Sequence, residues 1–277
     1  MLISIRHVTR YSYPEPAAYS VQSLRLRPPS FRGQKVLSWS VTTSAPGQPL
    51  RFVDGFGNAV EVIALNTPHR ELLIEASGEV ETENFNGVVR DLICGTPPRV
   101  FLKETPQTLA DAAILTLAKD VSAKDELAAM HALSERIAEV VPYEKGMTDA
   151  HTCAAEALAA GKGVCQDHAH IFIAAARVLQ IPARYVTGYL AAEAEEESEA
   201  HHAWAEAWIE GLGWVGFDVA NNICPTDAYV RLTTGLDATS AAPVTGSRRG
   251  GGAETMAVTV VATGRAAPVQ TQSQSQG

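Results

Sequence analysis

The sequence predicts an α+β fold, in which a small antiparallel β-sandwich precedes a region of helices and then further strands. Three observations support this prediction. Roughly the first hundred residues alternate apolar and polar positions, as half-buried strands do. Residues 108–180 instead repeat apolar positions every three or four residues, which is the period of an amphipathic helix. The alternating period returns over residues 183–219, so the helices lie between two groups of strands.

The first group of strands is predicted to form an N-terminal β domain over residues 1–100. Turn-forming sequences separate its alternating segments, among them Pro28-Pro29, Pro46-Gly47 and Asp54-Gly-Phe-Gly-Asn58. Short strands with regular turns favour a sandwich. The alternating segments are Leu2–Thr9, Ser23–Arg27, Val36–Thr42, Ala59–Leu65 and Leu72–Thr82.

A proline-rich segment from Gly95 to Pro106 is predicted to link this domain to a core that spans residues 107–245. Four helices are expected in the first half of the core. Asp149 is expected to cap the third helix, and Pro182 would end the fourth, because proline lacks the N–H that continues a helix. The predicted helices are Thr108–Lys119, Lys124–Val140, His151–Ala160 and Cys165–Gln180.

The second half of the core is expected to contain a strand and a hairpin. Ala183–Leu190 alternates, and Ala203–Ile209 and Gly213–Val219 flank a tight turn at Glu210-Gly-Leu-Gly213. The acidic run from Glu193 to Ala200 is expected to be a solvated loop.

Beyond the core, the sequence predicts little regular structure. Glycine-rich Ser247–Gly252 is expected to be mobile, and Met256–Ala262 is expected to form one last strand. The polar repeats near the end predict a disordered tail over residues 264–277.

The composition excludes several classes of protein. Asp and Glu number 31 against 22 Lys and Arg, which gives a net charge of -9. This balance argues against a protein that binds nucleic acid or an anionic membrane surface, because both need a basic patch. We find no apolar run of about 18 residues and no secretory signal. Four cysteines are too few for a disulfide scaffold, so we predict a cytoplasmic protein with reduced thiols.

Cys165 is the first candidate for catalysis, because it follows Gly161-Lys-Gly163 and opens a predicted helix. The free N–H groups and the dipole of a helix N-terminus favour a thiolate. An adjacent imidazole could take the thiol proton, and the backbone N–H of Cys165 could stabilise an oxyanion. The competing interpretation is a small buried cysteine, which is the usual role of a lone thiol.

His202 and Asp218 could supply the base and the carboxylate that orients it. They lie on the two strands of the predicted hairpin, whose turn places Asp218 opposite about Ala205 or Glu206. A strand twist or a bulge is therefore needed to bring Asp218 into contact with His202. If neither occurs, Glu206 is the alternative carboxylate that could orient the base. A different alternative is a zinc site that combines Cys165 with His168 and the His201-His202 pair.

Four segments resemble, in chain order, the core of the transglutaminase-like superfamily. Two segments near the N-terminus, Arg6-His-Val-Thr-Arg-Tyr11 and Asp54–Asn58, are similar to the N-terminal β region of bacterial transglutaminase-like proteins. The resemblance implies a papain-like core of helices packed on an antiparallel sheet, with Cys165 as nucleophile, His202 as base and Asp218 as its orienting residue. The four core segments are Gly161–His170, Ile181–Tyr189, His202–Glu206 and Gly213–Asp218.

The resemblance also implies thiol-dependent acyl transfer on amide bonds of peptides or proteins, through a thioester and without a cofactor. Water as acceptor would make the protein a protease or amidase, and an amine acceptor would make it a transglutaminase. Animal transglutaminases supply a tryptophan to the oxyanion hole, but this chain has none between Trp39 and Trp204. Tyr143 or Gln166 is expected to donate instead. Two other functions stay open, a non-catalytic interaction module and a component of a peptide-modifying system with an ATP-grasp partner.

Overall fold

The computed structural model describes residues 1–121, 123–191 and 201–265. Within these residues it contains eleven strands and four α-helices, which confirms the α+β class. The predicted loop Glu193–Ala200 and the predicted tail beyond residue 265 lie outside the described residues.

The β region is a seven-stranded antiparallel sheet built around the long strand β1, Leu2–Arg27. The strands that we expected to form a small sandwich are hydrogen-bonded into one sheet, because the two halves of β1 have different neighbours. The first half pairs with strands from residues 69–82 and 255–265, and the second half pairs with strands from residues 59–65 and 244–250. The other strands are β2 (Gln34–Thr43), β3 (Leu50–Val53), β4 (Ala59–Leu65), β5 (His69–Thr82), β10 (Val244–Gly250) and β11 (Thr255–Arg265).

The core packs four helices on a second sheet of four antiparallel strands. Its strands are β6 (Ala183–Leu190), β7 (His201–Ile209), β8 (Gly213–Phe217) and β9 (Tyr229–Gly235). Their order in the sheet is β8-β7-β6-β9, so β9 lies at one edge. The helices are α1 (Ala112–Lys119), α2 (Glu126–Val140), α3 (Ala154–Ala160) and α4 (Cys165–Val178). Helix α4 contacts β7, and its apolar residues from Ala169 to Ala176 are buried in the core.

Some helix boundaries differ from the prediction for local reasons. Helices α1 and α2 begin after Asp111 and Asp125, whose side chains accept backbone N–H groups of the first turn. Asp149 does not cap α3; its carboxylate accepts the N–H groups of His151 and Thr152 at 2.8 and 3.1 Å and holds a turn before the helix. Helix α4 ends before Gln180, which has a φ of 61°.

Two segments that were expected to be irregular are ordered by their neighbours. The predicted linker contains a 3₁₀ helix, Pro98–Leu102, and its buried Phe101 packs edge-on against Trp214 with ring centroids 5.1 Å apart. The predicted mobile segment Ser247–Gly252 largely belongs to β10, which pairs with β1. Its own residues show no apolar alternation, so the pairing with β1 determines its conformation. Gly264 and Arg265, expected in the disordered tail, end β11.

Two side-chain amides of the β region bind the outer edge of β9 as a neighbouring strand would. Gln34 donates to the Arg231 carbonyl at 2.8 Å and accepts its N–H at 2.7 Å. Asn58 makes the same pair of bonds with Thr234, at 2.8 and 2.9 Å. These amides satisfy backbone groups that an edge strand leaves unpaired. The β region therefore fixes the position of β9.

None of the helices in the described part of the chain is both long and apolar enough to span a bilayer.

Candidate active site

Cys165 is the first residue of α4, and nearby side chains fix the helix start at this point. The Asp167 carboxylate accepts the N–H of Val164 at 2.8 Å and the hydroxyl of Thr148 at 2.6 Å. Gly163 leaves room for this contact, since a Cβ there would lie 2.8 Å from the Asp167 Cβ. The thiol is partly exposed, and the N–H of Cys165 belongs to the first turn, whose N–H groups have no acceptor within the helix.

His202 lies near the start of β7 and contacts both of the other predicted residues. Its Nε2 lies 2.7 Å from Asp218 Oδ2, and the Cys165 thiol is close enough to raise the pKa of the ring. Because Nε2 faces the carboxylate, Nδ1 is the ring atom left for the thiol. Burial by itself would lower the pKa of His202, but hydrogen bonds and charges from Asp218 and Cys165 outweigh burial and raise the pKa to about 10. This environment favours the imidazolium form at neutral pH.

Asp218 is fully buried, and one of its oxygens accepts three side-chain hydrogen bonds. Oδ2 accepts from His202, from the Tyr229 hydroxyl at 2.6 Å and from the Asn221 amide at 2.7 Å. Burial raises the pKa of this carboxyl, but the hydrogen bonds outweigh burial and hold the pKa below its usual value. Asp218 is therefore a carboxylate at neutral pH.

His202 and Asp218 are in contact diagonally across the two strands of the hairpin. β7 and β8 pair Ala205 with Phe217, so Asp218 comes level with Trp204 and lies two residues from His202 along the same face. Glu206, the alternative orienting carboxylate, points elsewhere: its oxygens accept from Arg184 Nε at 2.6 Å and from Arg231 Nε at 3.0 Å.

Aromatic rings pack beside the His202–Asp218 pair. The Trp204 and His202 rings are inclined by 28°, with centroids 6.4 Å apart, and the Tyr229 ring meets the Trp204 ring edge-on at 5.5 Å. Gly188 on β6 provides the space for the indole, since a Cβ there would lie 2.5 Å from Trp204 Cη2.

The two predicted oxyanion-hole donors, Tyr143 and Gln166, lie near the start of α4. The backbone of Tyr143 forms an isolated β-bridge with Gly163. Its half-exposed ring lies 6.2 Å from the His168 ring, centroid to centroid. The Gln166 amide lies 3.4 Å from the carbonyl oxygens of Asp149 and Ala150. The role of either side chain at an oxyanion stays a prediction.

The two histidines of α4, His168 and His170, bind backbone groups. His168 Nε2 lies 2.6 Å from the Val141 carbonyl, and His170 Nε2 accepts the Ala238 N–H at 3.0 Å. Burial lowers the pKa of both, that of His170 to about 4. Across the three described ranges, no cluster of three or more His, Cys, Asp or Glu residues is arranged to hold a metal ion.

Sequence reasoning missed Tyr229 and Asn221, which complete the surroundings of Asp218. Tyr229 begins β9, a strand that was not predicted, although Val230 and Leu232 alternate with polar residues there. Asn221 follows Asp218 by three residues, a spacing at which an aspartate often binds the turn that follows it. This short-range turn signal was available in the sequence.

Two sequence profiles match the chain. The bacterial transglutaminase-like N-terminal region matches residues 3–81, and the transglutaminase-like superfamily matches residues 115–219. An uncharacterized protein of Mycobacterium leprae is 31% identical over 268 residues, which cover 92% of this chain and 95% of that protein. The chain belongs to the transglutaminase-like superfamily. The range that the second profile matches includes Cys165, His202 and Asp218.

Further comparisons extend the similarity of this transglutaminase-like protein over its whole length. An uncharacterized protein of Mycobacterium bovis is 26% identical over 269 residues, covering 87% of this chain and 86% of that protein. Among solved structures, a candidate cysteine protease from Cytophaga hutchinsonii superposes with a TM-score of 0.76 at 23% identity, covering 97% of this chain and 92% of that one. The two proteins therefore share the fold of the β region as well as that of the core.

Proposed function

We propose that this transglutaminase-like protein is a thiol-dependent acyl-transfer enzyme that acts on amide bonds of peptides or proteins. The observation that carries the proposal is the position of His202, which is hydrogen-bonded to Asp218 at 2.7 Å and lies close to the Cys165 thiol. An imidazole in this position takes the thiol proton, and a carboxylate behind it holds the ring in the required orientation. The N-terminus of α4 adds the positive end of a helix dipole at the sulfur.

The starting state of the first half-reaction is an ion pair, in which Nδ1 of His202 holds the thiol proton and the Cys165 thiolate attacks the carbonyl carbon of the amide. A C–S bond forms while the carbonyl π electrons move to the oxygen. The N–H of Cys165, with Tyr143 or Gln166, would donate to this oxyanion. Its collapse breaks the C–N bond, His202 gives its proton to the leaving amine, and the acyl group remains on Cys165 as a thioester.

In the second half-reaction, an acceptor attacks the thioester carbon and His202 takes a proton from it. The C–S bond breaks, the sulfur leaves as a thiolate, and the proton on His202 restores the starting state. Water as acceptor gives a protease or amidase, and a primary amine gives a transglutaminase. The same three side chains serve both reactions, so the acceptor is determined by what reaches the thioester.

Mass spectrometry of the trapped thioester tests this proposal. The protein would be incubated with glutamine-containing peptides and peptide amides, with and without a primary amine, and quenched in acid. We expect an acyl adduct on Cys165, its loss in Cys165→Ala, and no effect of Cys94→Ala, which alters a thiol outside the site. Full turnover by Cys165→Ala, or an adduct on another cysteine, would contradict the assignment.

The adduct experiment, together with the rate of thiol alkylation, separates the proposed enzyme from an interaction module. A module would form no adduct with any peptide, and its thiol would be alkylated at the same rate with and without His202. A cytoplasmic location and an ATP-grasp partner stay predictions that the sequence alone suggested.

A further inference from the structure

A cavity of about 200 Å³ lies between the β region and β9. Two of the predicted turns form part of its wall. They are Pro28-Pro29 and residues Phe56–Asn58 of the Asp54–Asn58 turn. The loop Leu92–Cys94 closes another side, and Arg27 and Arg231 bring positive charge. This space, named here the Arg231 cavity, is smaller than the roughly 300–1,000 Å³ of drug-sized sites.

One nitrogen of the Arg231 guanidinium group, Nη2, has no acceptor among the described residues. The residue is only 5% exposed, and its Nε donates to Glu206, which also pairs with the fully buried Arg184. Two buried guanidinium groups thus share one carboxylate. Nη2 of Arg231 is itself buried. A buried charged donor without an acceptor is unfavourable, so the guanidinium group of Arg231 keeps positive charge that a nearby anion would balance.

The nearby carboxylates do not supply this acceptor. The described residues in the wall of the Arg231 cavity include no aspartate or glutamate. Glu61 accepts from Arg27 at 2.9 Å and from Arg51 at 2.7 Å. Asp54 accepts from Arg25 and from the Asn58 amide, both at 3.0 Å.

Arg231 also lines a second, smaller cavity of about 60 Å³. The wall of this second cavity contains Glu83 and Glu206 as well as Arg32 and Arg231, so its charges balance, whereas the described part of the wall of the Arg231 cavity has two arginines and no acidic residue. The Arg231 cavity is therefore the better place for a negatively charged ligand.

We propose that the Arg231 cavity binds a small organic carboxylate. The carboxylate lies against the guanidinium groups of Arg231 and Arg27, a pairing that is strong because it is charge-assisted and can be bidentate. The apolar part of the ligand packs on Pro29, Phe56 and Leu92. None of the three predicted catalytic residues lines the cavity, so the proposal does not depend on the proposed function.

Isothermal titration with three probes tests this site. Benzoate carries the expected charge and an apolar ring, benzamide has the same shape without the charge, and inorganic phosphate has the charge without the ring. We expect benzoate to bind at least about tenfold more tightly than either of the others. Arg231→Gln and Arg27→Gln are each expected to weaken benzoate binding by about tenfold or more. Arg51→Gln is the matched control, because Arg51 binds the same Glu61 but does not line the cavity.

Several results would overturn the proposal. Equal binding of benzoate and benzamide would exclude charge recognition, and tighter binding of phosphate would assign the site to an inorganic anion. Absence of benzoate binding at millimolar concentration would exclude the site. Thermal melts would show whether each variant is folded; should Arg231→Gln fail to fold, the variant at the partly exposed Arg27 decides alone.

Discussion

The hydroxyl of Tyr229 lies 2.6 Å from Oδ2 of Asp218, the same oxygen that accepts the hydrogen bond of His202. Tyr229 belongs to β9, whereas Asp218 directly follows β8, at the opposite edge of the core sheet. The amide of Asn221 approaches the same oxygen at 2.7 Å. The carboxylate is thus held from several directions, which prevents it from rotating away from His202.

Tyr229→Phe is expected to slow alkylation of Cys165 by iodoacetamide at neutral pH, by up to about tenfold. The variant keeps the ring but loses a hydrogen bond to a charged acceptor, which contributes about 1.5–3 kcal/mol, and only part of this would reach the thiol through His202. Peptide mass spectrometry would measure the rate at Cys165. Tyr19→Phe, on the exposed part of β1, is the control and should react like the wild type; a wild-type rate in Tyr229→Phe would show that the hydroxyl does not position Asp218.

His202→Ala is expected to lower the alkylation rate of Cys165 at pH 7 by up to about 30-fold, because a free thiol with a pKa of about 8.5 is only about 3% thiolate at that pH. His202 keeps its proton up to a pKa of about 10, whereas a thiol without a base ionises near pH 8.5, so the excess of the wild-type rate should be largest below about pH 8.5 and should disappear above it. His131→Ala alters an exposed histidine on α2 and should change nothing. A rate that is independent of His202 at every pH would rule out the ion pair.

Glu206→Gln is expected to destabilise the fold by about 3–5 kcal/mol, because it leaves two buried guanidinium groups without a counter-charge. Urea unfolding at pH 7 would measure this loss. Glu75→Gln, in the exposed ion pair with Arg6, should cost less than about 1 kcal/mol.

The same variant has a defined pH dependence. Burial raises the pKa of Glu206, but Arg184 and Arg231 outweigh burial and lower it. A group with a lowered pKa contributes stability above its unfolded pKa of about 4.3, and that contribution is lost as the pH falls through its folded pKa. The stability difference between wild type and Glu206→Gln should therefore narrow as the pH falls below about 4; a constant difference would show that the charge of Glu206 is not what stabilises the cluster.

Gly188→Ala is expected to displace Trp204 and to destabilise the fold by about 1–3 kcal/mol, the usual cost of overpacking. The new Cβ would overlap the Val230 carbonyl oxygen as well as the indole. Tryptophan fluorescence and thermal melts would report both effects. Gly95→Ala adds a methyl group in open space and serves as control; a wild-type spectrum in Gly188→Ala would show that the indole does not depend on this glycine.

The placement of Cys165 and of the hairpin could be predicted because the signals are local. The glycines before Cys165 mark the end of one helix and the start of the next, and the hairpin turn fixes the register of β7 and β8 within a residue or two. The contact of His202 with Asp218 depends on how the chain turns after Asp218, where its N–H binds the Ile223 carbonyl at 2.8 Å. The local sequence pattern showed only that a twist or a bulge was needed to bring Asp218 to His202.

The contacts of β9 and β10 could not be predicted, because they depend on residues far away in the sequence. The apolar residues of β9, Val230 and Leu232, pack into the core of the β region and not under the helices. Gln34 has no apolar or turn signal, and its function is visible only when it binds Arg231 from across the structure. β10 has almost no apolar residues of its own and is held by its pairing with β1.

The central position of β1 has a consequence for how the chain acquires its structure during synthesis. The ribosome makes β1 before the helical core, but β10 and β11, which cover its other side, emerge after that core. Until then β1 exposes a long open edge, which can pair with other chains and aggregate. Since these partners are so distant in sequence, we expect folding of the nascent chain to be slow and to finish only once the second half has been translated.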